Sequence, residues 1–331
     1  MKKIALTGIK PTGVPHIGNY LGAIKPALEL SQKCEARYFI ADYHALNSCK
    51  DPDEIRSMTL EIAAAWLACG LDPEQVLFYR QSDVPQTFEL LTVLLAFTPK
   101  GLMNRAHAYK AMLKSNAEAG KDPDDGVNMG LYTYPVLMAA DILLFDTDLV
   151  PVGNDQFQHV EMAADIAQSF NHIYQQQAFK LPQALAHDTV KTVVGLDGRK
   201  MSKSYGNIIP LFAPEKKLRK LVMKIVTNSQ SVEEPKDPES CSVFALYKCF
   251  AEPAQVEELR AKYIAGGMGW GYAKQKLFEQ MNAVLTPYRE RYEELMDDPG
   301  YIQQVLREGS AKARELAAAK ISQIRRIIGI E

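Results

Sequence analysis

The chain has 331 residues, 47% apolar and 24% charged, an ordinary globular composition with room for one large core and a smaller domain. No run approaches the roughly 18 consecutive apolar residues of a membrane span, and Lys2-Lys3 leads within a few residues to Lys10, Pro11 and Gly13 rather than to a secretory apolar stretch, so the reading is a cytoplasmic protein with no membrane partner. A net charge of −2 advertises no nucleic acid in bulk but leaves room for a local basic face, and five scattered cysteines without a CxxC pair support neither a zinc site nor a disulfide framework.

Residues 2–9 (KKIALTGI) predict a buried strand ending in a glycine turn, and a helix follows from about Gly18 to Leu30. A second strand is expected at 37–41 (RYFIA). Asp51-Pro52-Asp53 places an acidic N-cap before a proline at the first helical position, and the helix it opens runs to about Cys69, where Gly70 stops it. Residues 76–80 (VLFYR) give a third strand, and Pro85 opens another helix. Strands alternating with helices imply a parallel sheet with crossover helices. Residues 114–127 (KSNAEAGKDPDDGV) read as an exposed loop within an insertion at about 100–130. The chain then re-enters the core: 133–145 (TYPVLMAADILLF) is apolar except for Asp141, 149–153 (LVPVG) is a short strand and turn, and Asp155 begins a helix to about Phe170. A last strand is expected at 192–196 (TVVGL). Beyond Pro210 helical patterns dominate, at 214–226, 241–250, 254–264, 271–297 and 299–328, with 231–239 as a linker.

Two strings carry chemistry. Thr7 to Asn19 (TGIKPTGVPHIGN) follows a strand and opens a helix, at the carboxyl end of a parallel sheet where open α/β folds bind ligands. Gly8 and Gly13 permit tight turns, free N–H groups at the helix start attract phosphate, His16 can donate to phosphate oxygens, and Gly18 leaves a flat surface for an adenine ring. A plain strand–turn–helix with a solvent-facing histidine has the same pattern. The second string, Lys200-Met201-Ser202-Lys203-Ser204, sits between Gly198 and Gly206 as a basic loop. Lysines closing over a departing pyrophosphate stabilise that transition state more than the ground state, and Ser202 and Ser204 add hydrogen bonds. Alone, KxxK is an ordinary basic turn; with the first string it describes a site for adenylyl transfer. Asp141 is the third feature. A carboxylate inside an apolar run is costly without a partner, which is either a ligand N–H or a neighbouring arginine or backbone group.

These strings resemble the HIGH and KMSKS signatures of the class I aminoacyl-tRNA synthetases. With PTGVPHIGNYLGA at 11–23, ADYHAL at 41–46 and TYPVLMAADILLFDTDLVPVGNDQ at 133–156, the chain resembles the bacterial-type tryptophanyl-tRNA synthetases over nearly its whole length. The resemblance implies an α/β fold: a Rossmann-like parallel-sheet nucleotide-binding domain over 1–208, then a helical anticodon-binding domain over 209–331 whose last helix packs back on the first. It implies ATP contacts from Lys10, Pro11, Thr12, Gly18, Asn19, Gly153, Asn154, Asp155, Val193, Lys200, Met201, Ser202, Lys203 and Ser204, with Lys200, Lys203, Ser202 and His16 as the catalytic set. Asp141 is implied to accept from the indole N–H of L-tryptophan, Tyr134 and Gln156 to hold its α-ammonium, and Met138, His44, Val150 and Val152 to shape its pocket. Lys110 resembles a phosphate-reaching lysine of the insertion. Mg2+ is expected to arrive with ATP, with no dedicated metal site, and only Cys241 and Cys249 fall where some relatives carry four cluster-binding cysteines, so no iron–sulfur cluster is expected. The implied partners are tRNA(Trp) and a second copy in a homodimer.

Asn19 replaces the last histidine of HIGH, and Lys10 stands where glutamine is common. Basic clusters at Lys216, Lys217, Arg219, Lys220 and Lys224 and at Lys312, Arg314, Lys320, Arg325 and Arg326 suit either tRNA phosphates or ordinary solvated helix faces. Three alternatives stay open: a tyrosyl-tRNA synthetase, whose phenol O–H Asp141 would also accept; a small-molecule adenylyltransferase; and a non-catalytic tryptophan or tRNA sensor.

Overall fold

In the computed structural model, which describes residues 2–13, 15–153, 156–186 and 193–331, apolar runs suited to burial on both faces form β1 (Ile4–Ile9), β2 (Glu35–Ile40), β3 (Val76–Arg80) and β4 (Leu149–Val152), and the more polar β5 (Gln183–Ala186) takes an edge. Pairing is parallel throughout, in the order β3-β2-β1-β4-β5. The chain steps outward from β1 through β2 to β3, then returns to lay β4 on the other side of β1. The carboxyl ends of β1 and β4 therefore flank a switch point, the place where open α/β sheets take ligands. Alternate side chains feed two layers: Tyr38 and Phe78 pack with Trp66 on one face, and Leu6, Phe39 and Tyr79 lie on the other.

The first crossover is one continuous coil made of α1 (Ile17–Asn19), a π-helical turn (Tyr20–Ile24) and α2 (Lys25–Ser31). After β2 comes α3 (Asp42–Ala45) and then α4 (Pro52–Ala68), where the Asp51 side chain accepts from the N–H groups of Asp53 and Glu54. A 3-10 turn (Gln81–Asp83) follows β3 and leads into α5 (Gln86–Ala96). The central segment holds α6 (Lys100–Met103) and α7 (His107–Glu118). The loop expected at 114–127 is thus helical in its first part. Its alanines, lysines and Glu118 favour helix, and Gly120, at φ +67, ends it. The buried Asn116 side chain then ties down the turn by donating to the carbonyls of Pro123 and Asp125. α8 (Met129–Leu143) and α9 (Phe157–Ile173) flank β4.

The strand expected at 192–196 is not observed in its described part, 193–196. Val194 makes only an isolated antiparallel bridge to Lys200, because the Gly195 N–H bonds to the Arg199 carbonyl across a turn in which Gly198 takes φ +82. The fifth strand is β5 instead.

The remaining helices are α10 (Glu215–Met223), α11 (Ser242–Tyr247), α12 (Pro253–Ala265), α13 (Trp270–Asp297) and α14 (Pro299–Ile328). Residues of α10, α11 and α13 share one buried cluster with α4 and the sheet. α14 returns along the edge strand β3. Gly309 lets its backbone approach so closely that a Cβ there would lie 1.8 Å from the Phe78 carbonyl oxygen. Its anchors are Ser310 Oγ to Asp83 Oδ2 (3.0 Å), Arg314 Nη1 to the Asp83 carbonyl (2.9 Å), the buried Lys320 Nζ to the Ala178 carbonyl (2.7 Å), and a paired contact of Arg325 with Glu89 (2.7 and 2.8 Å).

Candidate active site

β1 ends in the loop that starts the first crossover, and the local packing explains its residues. A Cβ on Gly8 would sit 2.5 Å from the Phe39 ring, and one on Gly18 would sit 2.8 Å from the His16 ring. His16 is 9% exposed, and its Nδ1 is buried without a protein partner. Burial, and then the Lys203 charge, pull His16 down to about 4, so it is a neutral imidazole near pH 7. Asn19 Oδ1 accepts the His16 backbone N–H at 3.0 Å, a reciprocal helix-start contact made by the residue that departs from the HIGH pattern.

The 200–204 loop lies against this start. Met201 is buried, with its N–H bonded to the Val193 carbonyl at 2.8 Å and its Cβ 3.6 Å from the point where a Gly18 Cβ would be. Lys203 Nζ donates to the Thr12 carbonyl, across 191 residues of sequence, beside Gly13 at φ +83. Burial lowers the Lys203 pKa. Ser202 and Ser204 hydroxyls lie 2.7 Å apart. Asn207 holds the loop from behind: Oδ1 accepts from the Ser202 N–H (2.8 Å), and Nδ2 donates to Asp197 Oδ1 (2.7 Å) and the Lys200 carbonyl (3.1 Å). The Asn207 bond, aided by Arg199, holds the Asp197 carboxyl at about 2.

Beneath these loops, at the switch point, lies a cavity of about 380 Å³. β1 contributes Leu6, Thr7 and Gly8, the following loop Lys10, β4 Val150 to Val152, α3 His44, and α8 Tyr134, Met138 and Asp141, with Gln156 closing one side. Asp141, 2% exposed, receives Gln81 Nε2 on both oxygens (2.8 and 3.0 Å) and His44 Nε2 on Oδ2 (2.9 Å). Burial pushes its pKa up while the His44 and Gln81 bonds pull it down. Since the carboxylate accepts, His44 carries its proton on Nε2, and its buried Nδ1 has no protein partner. Across the cavity, Tyr134 Oη donates to Gln156 Oε1 (2.7 Å), and His159 Nδ1 lies 2.9 Å from the same oxygen and 3.1 Å from Tyr134 Oη. Thr7 Oγ1 is buried without a protein partner, and burial lowers the Lys10 pKa.

All of the residues expected to hold the amino acid, Asp141, Tyr134, Met138, Gln156, His44, Val150 and Val152, therefore line one cavity, together with Lys10. Of those expected to hold ATP, Thr12, Gly18, Val193, Met201 and Lys203 are in mutual contact with one another or with His16, Pro11 is buried next to them in the chain, and Lys200, Ser204 and Gly153 are exposed. Asn154 and Asp155 lie outside the described residues. Lys110 is exposed on α7. Among the described residues no three His, Cys, Asp or Glu side chains gather as a metal site, and Cys241 Sγ sits 3.5 Å from Tyr263 Oη. Sequence reasoning missed Gln81, His159, Asn207 and Thr7. Two signals were present: Gln81 is the first polar residue after an apolar strand, and His159 follows Gln156 at helical i+3 spacing.

A family model described as tRNA synthetases class I (W and Y) matches residues 2–286. The tryptophan–tRNA ligase of Bordetella parapertussis is 53% identical over 333 residues, spanning 100% of this chain and 74% of that protein. The tryptophan–tRNA ligase of Neisseria meningitidis is 51% identical over 332 residues, 99% of this chain and 98% of that protein. Among solved structures, the tryptophanyl-tRNA synthetase of Campylobacter jejuni, complexed with ADP and tryptophan, is 44% identical with a TM-score of 0.88, over 98% of this chain and 99% of that one.

Proposed function

The chain belongs to the class I tRNA synthetases of the tryptophan and tyrosine group, and on that premise we propose that it activates L-tryptophan with ATP and transfers it to tRNA(Trp). The observation that carries this reading is the buried, acceptor-only Asp141 carboxylate in a cavity walled by Met138, Ile142, Val150 and Val152, a setting for an apolar ring bearing one N–H donor. The near-full-length likeness to tryptophan–tRNA ligases supports tryptophan over tyrosine.

In the first step the amino acid carboxylate attacks the α-phosphorus of ATP, and pyrophosphate leaves as tryptophanyl-adenylate forms. Asp141 holds the indole N–H, while Tyr134 Oη and Gln156 Oε1 meet the α-ammonium. Neutral His16 donates to phosphate, Gly18 carries the adenine, and Lys200, Lys203, Ser202 and Ser204 meet the charge that grows on pyrophosphate. Lys203 must leave the Thr12 carbonyl to do so. Catalysis rests on positioning and electrostatics, with no covalent protein intermediate. Mg2+ carried on the triphosphate would supply charge neutralisation there. In the second step the terminal ribose hydroxyl of tRNA takes the acyl group and AMP leaves. Residues 1–208 are assigned to catalysis and 209–331 to the anticodon, with the basic face of α10 meeting phosphates; on α14 the expected basic cluster is instead largely internal, since Arg314, Lys320 and Arg325 bond to Asp83, Ala178 and Glu89; the working form is a cytoplasmic homodimer. Among the described residues no helix is long and apolar enough to cross a membrane. The test is esterification of labelled tryptophan to tRNA(Trp), with tRNA(Tyr) as control. Charging of tRNA(Trp) alone is the expected result. Adenylate formation without charging would instead favour a small-molecule adenylyltransferase.

A further inference from the structure

Asp141 reaches the cavity with one face and is gripped from the others. Gln81 is 0% exposed and does not line the cavity; it stands behind the carboxylate, on the first residue of the turn after β3. Its Nε2 donates to both Asp141 oxygens, at 2.8 and 3.0 Å, and its Oε1 accepts the Tyr43 backbone N–H at 3.2 Å. This fixes which way the amide points: a carboxylate oxygen only accepts, and a backbone N–H only donates. With His44 Nε2 on Oδ2, that oxygen has two N–H donors and Oδ1 has one, so by donor count Oδ1 is the oxygen with capacity left for a ligand. The two donors are themselves tied together. Asp42, two residues before His44, accepts from the N–H and the hydroxyl of Ser82, the residue after Gln81.

We propose that Gln81 is the positioning residue of the specificity carboxylate: by donating to both Asp141 oxygens from outside the cavity, it aims the remaining acceptor capacity of Oδ1 at the ring N–H of the amino acid. This rests on the tryptophan reading above and deepens it. A site built around one fixed acceptor rejects a ring lacking the donor, because the acceptor is then left buried and unpaired. Rotation of Asp141 about its χ2 angle would blunt that discrimination without emptying the pocket; His44 holds one oxygen, and Gln81, bonded to both, opposes the rotation.

The test compares tryptophan with benzothienyl-L-alanine, in which sulfur replaces the indole N–H, in amino-acid-dependent ATP–pyrophosphate exchange. In Gln81→Met, which keeps the volume and removes the donors, the KM for tryptophan should rise about 10-fold or more. The KM for the sulfur analogue and both kcat values should stay within about twofold. In Gln81→Glu, which is isosteric, two carboxylates meet and share a proton at low pH, so the KM for tryptophan should climb between about pH 6 and 9 while the wild-type KM stays flat. The glutamate variant keeps the test available if the methionine variant does not fold. Equal losses for both amino acids, an unchanged tryptophan KM, or a pH-flat Gln81→Glu would each overturn the proposal against a normal wild-type preference. A wild-type protein that uses both amino acids equally overturns the reading of Asp141, and the proposal with it.

Discussion

Gly309→Ala tests the seating of the last helix on the sheet. The added Cβ would lie 1.8 Å from the Phe78 carbonyl oxygen and 2.8 Å from its carbon, both backbone atoms that no rotamer can move. Restoring ordinary contact requires α14 to lift by roughly 1.5 Å. That shift breaks the Ser310 and Arg314 bonds to Asp83, at 3.0 and 2.9 Å. Overpacking costs about 1–3 kcal/mol and each lost bond about 0.5–1.5, which together give a loss of about 2–6 kcal/mol. Gly271→Ala is the control: it is also helical, in α13, and no atom lies within 4 Å of its added Cβ. Its narrower unfolded ensemble should stabilise the fold by about 0.4–1 kcal/mol. Urea unfolding of the two variants beside wild type measures both signs. Because the Asp83 turn also carries Gln81, the tryptophan KM should rise in Gly309→Ala and not in Gly271→Ala. A Gly309→Ala protein within about 0.5 kcal/mol of wild type, or two variants shifted in the same direction, would refute the packing argument.

Lys203→Ala should lower kcat for adenylate formation by about 10²–10³ while barely changing tryptophan affinity; a large loss of affinity at unchanged kcat contradicts its assigned role. Asp141→Asn offers one acceptor oxygen where N–H donors now grip two, so its NH2 must face either His44 Nε2 or the indole N–H, and it replaces a charged acceptor with a neutral one. The tryptophan KM should rise about 5- to 30-fold, from roughly 1–2 kcal/mol, with the ATP KM unchanged, and an unaltered tryptophan KM sinks the reading. Burial and Lys203 lower the His16 pKa from 6.5 to about 4, so the unfolded chain takes the proton first as pH falls. This contribution to stability is full above pH 6.5 and is lost as pH drops towards 4. The wild-type melting temperature should therefore fall more steeply across that window than that of His16→Gln, and parallel curves would exclude the effect.

Strand positions and the long helices were legible because burial leaves a periodic trace. The apolar runs of β1 to β4 and the paired patterns that became α13 and α14 are local properties of the sequence. Residues 192–196 misled for the same reason: TVVGL has strand composition, but Gly195 and Gly198 turn its described part back on itself, while the sheet takes the short QALA segment as its edge. α7 was hidden by the turn formers that follow it. In the site, Asp141 was legible because a charge in an apolar run demands a partner. The identity of that partner was not legible. Gln81 lies 60 positions away, and a glutamine after a strand is ordinary until the fold brings it behind a carboxylate. Asn207 and the contact of Lys203 with Thr12 were hidden likewise, since both depend on where a loop closes in space.

Amino-acid-dependent ATP–pyrophosphate exchange, run separately with each of the twenty amino acids, reads the pocket and the adenylation chemistry in one assay. Exchange with tryptophan alone is the expected result. Exchange with tyrosine would keep the fold and the chemistry but contradict the pocket, and exchange with none in folded protein would contradict the catalytic reading of the 200–204 loop and leave a ligand sensor in its place.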